Sequence, residues 1–346
     1  MNTSTLGRCG PLLVLAAATF SGPALALGGE KLLWSEEFDQ LGRPDLSVWS
    51  YDLGDLGVNN ELQVYTDEPQ NVRVADGKLV IHARREADGS FTSGRIKTKN
   101  KVMFQYGTVE ARIKIPDLGN GLWPAFWTLG NDISSVGWPR CGEIDILEMG
   151  AGEAIADGRV NRTVYSTAHW DFYGDYASYG QSRVTPTDLD DDFHVFRLEW
   201  TPTGIWTYVD GEQIWVMDIS NRDAMSGHEF HAPHFLIVNL AVGGWFPGIT
   251  NPGGITATLP AAYVVDWIRI YDNGHTILSG PGTETPCPGD LDGDGAVDAA
   301  DLGLLISAWN TTNPAADIDG DGNGAAADLG LLVAAWGPCR SAGPPS

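Results

Sequence analysis

The chain has 346 residues, with 45 acidic and 21 basic side chains and a formal charge of −24. This acidic balance argues against a nucleic-acid-binding protein and against binding to anionic membrane surfaces, because both attract Lys and Arg. The 13 Trp and 43 Gly residues favour a β-sandwich or barrel with aromatic-lined grooves.

The first 26 residues are predicted to be a secretory signal peptide. Arg8 supplies a positive charge, residues 11–20 form a short apolar core, and Ala24-Leu25-Ala26 is a small-x-small cleavage sequence. The alternative, a transmembrane anchor, requires a longer apolar run. We therefore expect a secreted, extracellular protein, either free or associated with the cell surface.

Residues 27–273 show the two-residue hydrophobic periodicity that is typical of strands. The stretch GTVEARIKI, residues 107–115, alternates apolar and polar side chains. Similar runs, separated by turn residues, occupy positions 78–84, 194–200, 205–211, 235–241 and 264–272. This pattern predicts an all-β domain of two antiparallel sheets packed face to face.

The stretch GEIDILEMG, residues 142–150, places three acids on a strand that is otherwise apolar. Alternate strand residues point to opposite faces, so Glu143 and Asp145 share a face and Glu148 is one residue out of phase. A β-bulge with Leu147 as the extra residue brings Glu148 back to that face. Retaining glycoside hydrolysis uses two carboxyl groups roughly 5–5.5 Å apart, which favours a catalytic role over a solvated acidic strand.

With its flanks, this strand resembles glycoside hydrolase family 16, in its laminarinase-like (endo-β-1,3-glucanase) branch. The matching motifs are NNELQVYT (59–66), SGRIKTKNKVMFQYGTVEARIKIP (93–116), GLWPAFWTLG (121–130), GWPRC (137–141), AHWDFYGDYASYG (168–180), FHVFRLEWTPTGIWTYVDGE (193–212) and NLAVGGWFPG (239–248). The resemblance implies a β-jelly-roll sandwich with a concave substrate cleft. It also implies that Glu143 is the nucleophile, Glu148 the acid/base and Asp145 an assisting acid.

The activity that this resemblance implies is retaining endo-hydrolysis of β-1,3 or mixed β-1,3-1,4 glucans such as laminarin, with no cofactor for catalysis. Two alternatives stay open: a polysaccharidase of the agarase or carrageenase type, and a non-catalytic β-glucan-binding protein. Sulfated substrates favour a basic cleft, whereas this chain is acidic. Non-catalytic members lose the acids, whereas this chain keeps all three.

Further residues are candidates for contacts with the glucan, because sugars stack on flat aromatic rings and bond to polar edges. These substrate-binding candidates are Trp123, Trp127, Trp138, His169, Asn59, Arg95, Asn239 and Trp245. Trp123 and Trp127 lie four residues apart and therefore share a face of an extended segment. The resemblance places both, with Trp138, near the subsites beside the scissile bond.

Each candidate also has a structural alternative. The alternatives are core packing for the Trp residues, a loop hydrogen bond for His169, a turn for Asn59 and an ion pair for Arg95. Asn239 needs a partner if it is buried. Trp245 stands where related sequences often carry Asn, which leaves fine specificity open.

After a Gly/Pro/Thr-rich linker, residues 274–286, the composition changes. The stretch GDLDGDGAVDAADLGLLISAW, residues 289–309, recurs 27 residues later as ADIDGDGNGAAADLGLLVAAW, residues 316–336. Calcium prefers oxygen ligands at such loop spacings. The candidate ligands are Asp290, Asp292, Asp294, Asp298 and Asp301 in the first loop and Asp317, Asp319, Asp321 and Asp328 in the second. The alternative is a disordered acidic tail.

The duplicated segment, residues 287–339, resembles type I dockerins, with a tail at 340–346. The resemblance implies a small α-helical module with paired calcium loops and a cohesin-type scaffold partner. Both loops are followed by the apolar sequence LGLL, where dockerins carry polar recognition residues. Another partner, or a folded appendage with no partner, therefore stays open.

Three cysteines follow the predicted signal peptide. A disulfide between Cys287 and Cys339 would join the ends of the module, and two other pairings stay open. Cys141 is expected to be a packed free thiol. The resemblance also implies a structural calcium ion in the catalytic domain, near Asp266 and Gly77.

Overall fold

The computed structural model describes residues 30–221, 227–280, 289–291, 296–311, 313, 316–318 and 323–338. Several predicted features lie outside these residues. They are the signal peptide 1–26, the linker beyond residue 280, the tail, Cys287, Cys339, Asp292, Asp294, Asp319 and Asp321.

The described residues before position 281 form strands and only short helical segments. In chain order the strands are β1 (Lys31–Glu36), β2 (Ser50–Tyr51), β3 (Gln63–Tyr65), β4 (Val72–Ala75), β5 (Lys78–Arg85), β6 (Phe91–Ser93), β7 (Arg95–Lys97), β8 (Met103–Gln105), β9 (Gly107–Lys114), β10 (Leu122–Gly130), β11 (Glu143–Glu148), β12 (Thr163–Phe172), β13 (Asp175–Val184), β14 (His194–Trp200), β15 (Gly204–Val209), β16 (Glu212–Asp218), β17 (His234–Val242), β18 (Ala261–Asp272) and β19 (Ile277–Ser279). Two α-helical segments are α1 (Ile133–Val136) and α2 (Gly152–Ala156), and 3₁₀ turns span Val160–Arg162, His228–His231 and Pro252–Gly254.

The strands pair into two sheets. Sheet A has the order β16-β15-β14-β9-β18-β5-β6-β3, with β1 paired to β18 and β4 paired to β5. Sheet B has the order β13-β12-β11-β10-β17-β7-β2, with β8 paired to β17 and β19. The pairs are antiparallel, except that β3 and β6 run parallel. The predicted two-sheet antiparallel sandwich is confirmed.

The core lies between the two sheets because each sheet turns one apolar face inward. On β9, the alternation seen in the sequence buries Val109 and Ala111, while Glu110 stays half-buried on the other face. Phe126 of β10 and Ile144 of β11 belong to the same buried cluster. The opposite face of sheet B is therefore left for polar and aromatic side chains.

Sheet B extends into the stretch that composition predicts as linker. Ile277–Ser279 pairs antiparallel with Met103–Gln105, and Leu278 is buried in the core. This strand has only two apolar residues, which are too few to give a periodic signal. The sequence alone therefore assigns it to the linker.

The C-terminal module contains two helices of nine residues, α3 (Ala299–Ser307) and α4 (Ala326–Ala334). The short strands β20 (Ala296–Val297) and β21 (Gly337–Pro338) pair beside them. A small apolar cluster, which includes Leu305 and Leu332, packs between the repeats. Among the described residues, no helix reaches the length and apolar character needed to cross a bilayer.

Candidate active site

Strand β11 carries the three acids, and its pairing locates a bulge. Against β10, the partners of Asp145 and Leu147 are consecutive residues, so Ile146 is the extra residue. Against β12, Asp145 and Glu148 face residues that are only two positions apart. The bulge lies where the sequence predicts it, but the prediction that Leu147 is the extra residue is wrong. Both Ile146 and Leu147 are fully buried, so the pairing with β10, and not hydrophobicity, decides which is unpaired.

Two indole nitrogens bind the glutamates on either side of the bulge. Trp138 Nε1 donates to Glu143 Oε2 over 2.9 Å. Trp123 Nε1 donates to Glu148 Oε1 over 3.0 Å. Each glutamate therefore has one carboxylate oxygen oriented by a tryptophan, and its side chain lies on the outer face of sheet B.

His169, on the neighbouring strand β12, links two of the acids. Its Nε2 lies 3.0 Å from Asp145 Oδ2 and 3.9 Å from Glu143 Oε1. Its Nδ1 lies 2.8 Å from the hydroxyl of Tyr176 on β13. The ring of Trp138 packs against Tyr176, with centroids 5.2 Å apart. An aromatic wall therefore borders the acids on this side.

Burial raises the pKa of Glu143, Asp145 and Glu148 to about 8. The charge of Asp145 raises the pKa of both glutamates further, whereas His169 and the indole N–H groups lower it. Because the three groups interact, their protons leave in successive steps. A protonated carboxyl group beside an ionised one is the arrangement that acid/base catalysis requires.

On the β10–β17–β7 side of the acids, three predicted substrate-binding residues contact one another. Trp127 Nε1 donates to Asn239 Oδ1 over 2.8 Å, and the guanidinium of Arg95 lies 4.8 Å from the centre of the Trp127 ring. Asn239 is buried and also donates to the Tyr65 hydroxyl at 3.4 Å. Arg95 forms an ion pair with Asp52 at 2.9 Å. These contacts orient the three side chains on one face of sheet B.

Trp245 and Asn59 lie together at the edge of this face. The Trp245 backbone N–H donates to the Asn59 carbonyl over 2.8 Å, and the Trp245 side chain is 66% exposed. Asn59 has φ 54°, in the left-handed region, and its side chain donates to Glu61 Oε1 over 3.2 Å. Asn59 is therefore part of a turn, which is the structural alternative given for it, and its side chain is exposed.

Two aromatic residues of this face, Phe246 and Tyr176, were not among the predicted substrate-binding residues. Phe246 stacks on Trp123 with ring centroids 4.9 Å apart. Tyr176 contacts both His169 and Trp138. Phe246 is adjacent to Trp245 and could have been chosen on that basis. Tyr176 gives no such signal, because it is brought to His169 by the pairing of β12 with β13 and to Trp138 by the segment that precedes β11.

Cys141 and Asp266 were singled out in the sequence for roles other than substrate binding. Cys141 is a buried free thiol, and burial raises its pKa to about 12. The carboxylate of Asp266 pairs with Arg112 at 2.6 Å and with Lys78 at 3.4 Å. The calcium ion expected near Asp266 and Gly77 stays a prediction.

The described part of the Asp-rich loops places two carboxylates in the interior of the module. Asp301 is fully buried and accepts the N–H groups of Leu291 and Asp298, at 2.6 and 2.8 Å. Asp328 is its equivalent in the second repeat and is also fully buried, with two backbone N–H donors at 2.6 Å. Residues 287–339 contain nine Asp and no Lys, Arg or His. Oxygen donors at this density, without basic partners in the segment, fit a hard cation such as Ca²⁺.

The chain is similar to known glucanases. Residues 59–269 match the family model "Glycosyl hydrolases family 16", and residues 288–335 match "Dockerin type I domain". The beta-glucanase of Rhodothermus marinus is 38% identical over 252 residues, which cover 70% of this chain and 85% of the relative. The glucan endo-1,3-beta-glucosidase A1 of Niallia circulans is 33% identical over 288 residues, which cover 74% of this chain and 40% of the relative.

A solved structure with a similar fold is the catalytic domain of an endo-1,3-beta-glucanase (laminarinase) from Thermotoga petrophila. It is 39% identical, with a TM-score of 0.60, and the alignment covers 70% of this chain and 98% of that structure. The family model spans most of the two-sheet sandwich and includes all three acids of β11. The chain therefore belongs to glycosyl hydrolase family 16, with a dockerin type I domain at residues 288–335.

Proposed function

We propose that this protein is a secreted retaining endo-β-glucanase that hydrolyses β-1,3 or mixed β-1,3-1,4 glucans such as laminarin. The observation that carries this proposal is the grouping of three carboxyl groups, one buried and two half-buried, with His169 and two indole N–H donors on one face of sheet B. The names of the similar proteins, a beta-glucanase, a glucan endo-1,3-beta-glucosidase and an endo-1,3-beta-glucanase (laminarinase), support the substrate class.

The proposed reaction has two steps. Glu143 attacks the anomeric carbon while Glu148 gives its proton to the leaving oxygen, so that the glycosidic bond breaks and a glycosyl ester forms on Glu143. Glu148 then accepts a proton from water, which attacks the same carbon and releases Glu143. Two inversions give net retention of configuration.

In this scheme His169 supports the ionised nucleophile, and Asp145 supports the protonated acid. The imidazole N–H directed at Asp145 favours the ionised forms of Asp145 and Glu143, which opposes the effect of burial on their pKa values. Asp145 in turn raises the pKa of Glu148, which keeps the acid protonated until it is needed. Trp123, Trp138 and the Trp127–Arg95–Asn239 group are proposed to bind the glucan on either side of the acids.

The pH dependence of kcat/KM follows from these shifts. Activity needs Glu143 ionised and Glu148 protonated, so a bell-shaped profile is expected. Because the pKa of both groups is raised, both limbs should lie above those of unperturbed carboxyl groups, and the alkaline limb should fall near pH 8, at the pKa of Glu148. Initial rates on laminarin between pH 4 and 10 measure this. An alkaline limb near pH 5 would contradict it.

Product analysis tests the substrate proposal. Laminarin, lichenan and agarose are incubated side by side with the full chain, and the products are separated by length. We expect short oligosaccharides from laminarin or lichenan, the β-anomer appearing first in NMR spectra, and none from agarose. Release from agarose with laminarin untouched would favour the alternative polysaccharidase, and glucan binding without any release would favour the non-catalytic alternative.

For residues 287–339 we infer a calcium-stabilised module that attaches the enzyme to a cohesin-type scaffold partner, in keeping with an extracellular or cell-surface protein. Both helices, and the segments that directly follow them, expose apolar side chains at equivalent repeat positions. The pairs are Leu304 with Leu331, Ile306 with Val333 and Trp309 with Trp336. The disulfide between Cys287 and Cys339, the signal peptide and the domain limits remain parts of this proposal.

A further inference from the structure

One tyrosine hydroxyl connects the edge strand β13 to the three acids. The hydroxyl of Tyr176 lies 2.8 Å from His169 Nδ1, and the two rings stack with planes 17° apart. The other imidazole nitrogen faces Asp145 at 3.0 Å and Glu143 at 3.9 Å. Tyr176, His169 and Asp145 therefore form a chain of hydrogen bonds from an exposed strand to the acids of β11.

The hydroxyl suits both protonation states of the imidazole. A neutral imidazole carries one proton, which sits on either nitrogen according to the partners of each. If Tyr176 donates to Nδ1, the proton of His169 must be on Nε2, where it faces Asp145. If the imidazole is doubly protonated, the same hydroxyl accepts from Nδ1–H. In both states an N–H is directed at the carboxyl groups.

We propose that Tyr176 is a positioning residue of this site, which sets the orientation and tautomer of His169 so that its Nε2–H stabilises the ionised acids. Tyr176 acts through His169, and its hydroxyl does not have to contact the substrate. This inference rests on the proposed glucanase activity, because it concerns the acids that carry out that reaction.

The charged surroundings of His169 give the direction of the pH effect. The titratable groups that face His169 are Asp145 and Glu143 on β11 and Tyr176 on β13, and the charge of His169 also lowers the pKa of Glu148 on β11. Arg140 pairs with Asp171 at 3.7 Å. The acids are therefore the groups that respond to His169. Loss of a directed N–H disfavours their ionised forms, so the pKa of the nucleophile rises and the acidic limb of the profile moves to higher pH.

The matched pair of variants is Tyr176→Phe and Tyr179→Phe. Both tyrosines lie on β13, but Tyr179 is on the opposite face, packed against Trp215 with centroids 5.8 Å apart.

Tyr176→Phe keeps the ring beside Trp138 and removes only the hydroxyl. We expect kcat to fall roughly threefold to tenfold with KM nearly unchanged, because one oriented hydrogen bond is lost. We expect the acidic limb of the kcat/KM profile to move to higher pH by about half a unit. A shift of one pKa unit corresponds to a tenfold change in the ionisation equilibrium of the nucleophile. Tyr179→Phe should match the parent protein.

A double-mutant cycle tests whether Tyr176 acts through His169. In a His169→Gln background, the hydroxyl has no imidazole to orient, so Tyr176→Phe should cause no further fall in kcat and no further shift in the pH profile. An equal fall in both backgrounds would show a separate role and overturn the proposal, as would a Tyr176→Phe variant that behaves like Tyr179→Phe. If the parent protein releases no sugar from any β-glucan, it is the proposed function that fails.

Discussion

Replacing Glu143 by Gln is expected to lower the rate of laminarin hydrolysis by on the order of 10⁴-fold or more, since removal of a nucleophile eliminates the covalent route. The amide nearly matches the carboxyl group in shape and can still accept the N–H of Trp138. Glucan binding should therefore be retained. The measurements are reducing-sugar release and binding to immobilised laminarin. Glu212→Gln, at an exposed ion pair on sheet A, is the control and should match the parent protein.

Glu148→Gln separates the two proposed roles. A missing acid matters little when the leaving group departs without a proton, so this variant should regain most of its first-step rate on an activated aryl β-glucoside of suitable length. Glu143→Gln should remain inactive on the same compound. If the two variants respond in the reverse way, the assignments of nucleophile and acid/base must be exchanged.

Stability provides an independent check on Glu143. Its pKa is raised on folding, so its protonated form is favoured in the folded state. The contribution of such a group to stability is fully present below the unfolded pKa of about 4.3 and is lost as pH rises through the folded pKa, which is about 8. Glu143→Gln is neutral at every pH. Its melting temperature should therefore exceed that of the parent protein at pH 8–9, and the gap should close near pH 5.

Removing calcium is expected to unfold the C-terminal module while the sandwich persists. The nine Asp side chains of residues 287–339 repel one another, and no basic side chain in that segment offsets them. We expect this repulsion, together with the burial of Asp301 and Asp328, to make the folded module depend on a bound cation. A ligand at 100 times its Kd stabilises a folded unit by about 2.7 kcal/mol, which is substantial for a module with so small a core.

The measurement is limited proteolysis of the full chain with calcium and with chelator, followed by mass spectrometry of the fragments. We expect rapid cleavage within the module only after chelation, with laminarin activity retained. Asp301→Ala should be cleaved even in calcium, whereas Asp88→Ala, in an exposed turn of the sandwich, should not. Magnesium at the same concentration controls for general screening. Equal resistance with and without chelator would contradict the calcium proposal.

Much of the sandwich could be predicted because its signal is local. Two-residue alternation on β9 directly indicates which side chains enter the core, and the structure buries them. The bulge on β11 could also be located, because Glu143 and Asp145 are in phase and Glu148 is not. The strand at Ile277–Ser279 could not be found, since three residues carry no measurable period.

The sequence by itself determined the β-sandwich, the presence of three acids on one strand, and the repeated Asp-rich loops. These features depend only on residue type and on short-range spacing along the chain. Only the tertiary structure decided that Ile146 is the extra residue of the bulge, that Arg95 pairs with Asp52, and that the Tyr176 hydroxyl lies beside His169 Nδ1. The physical reason is that strand pairing and hydrogen-bond partners depend on segments distant in the chain, whose register local periodicity does not encode.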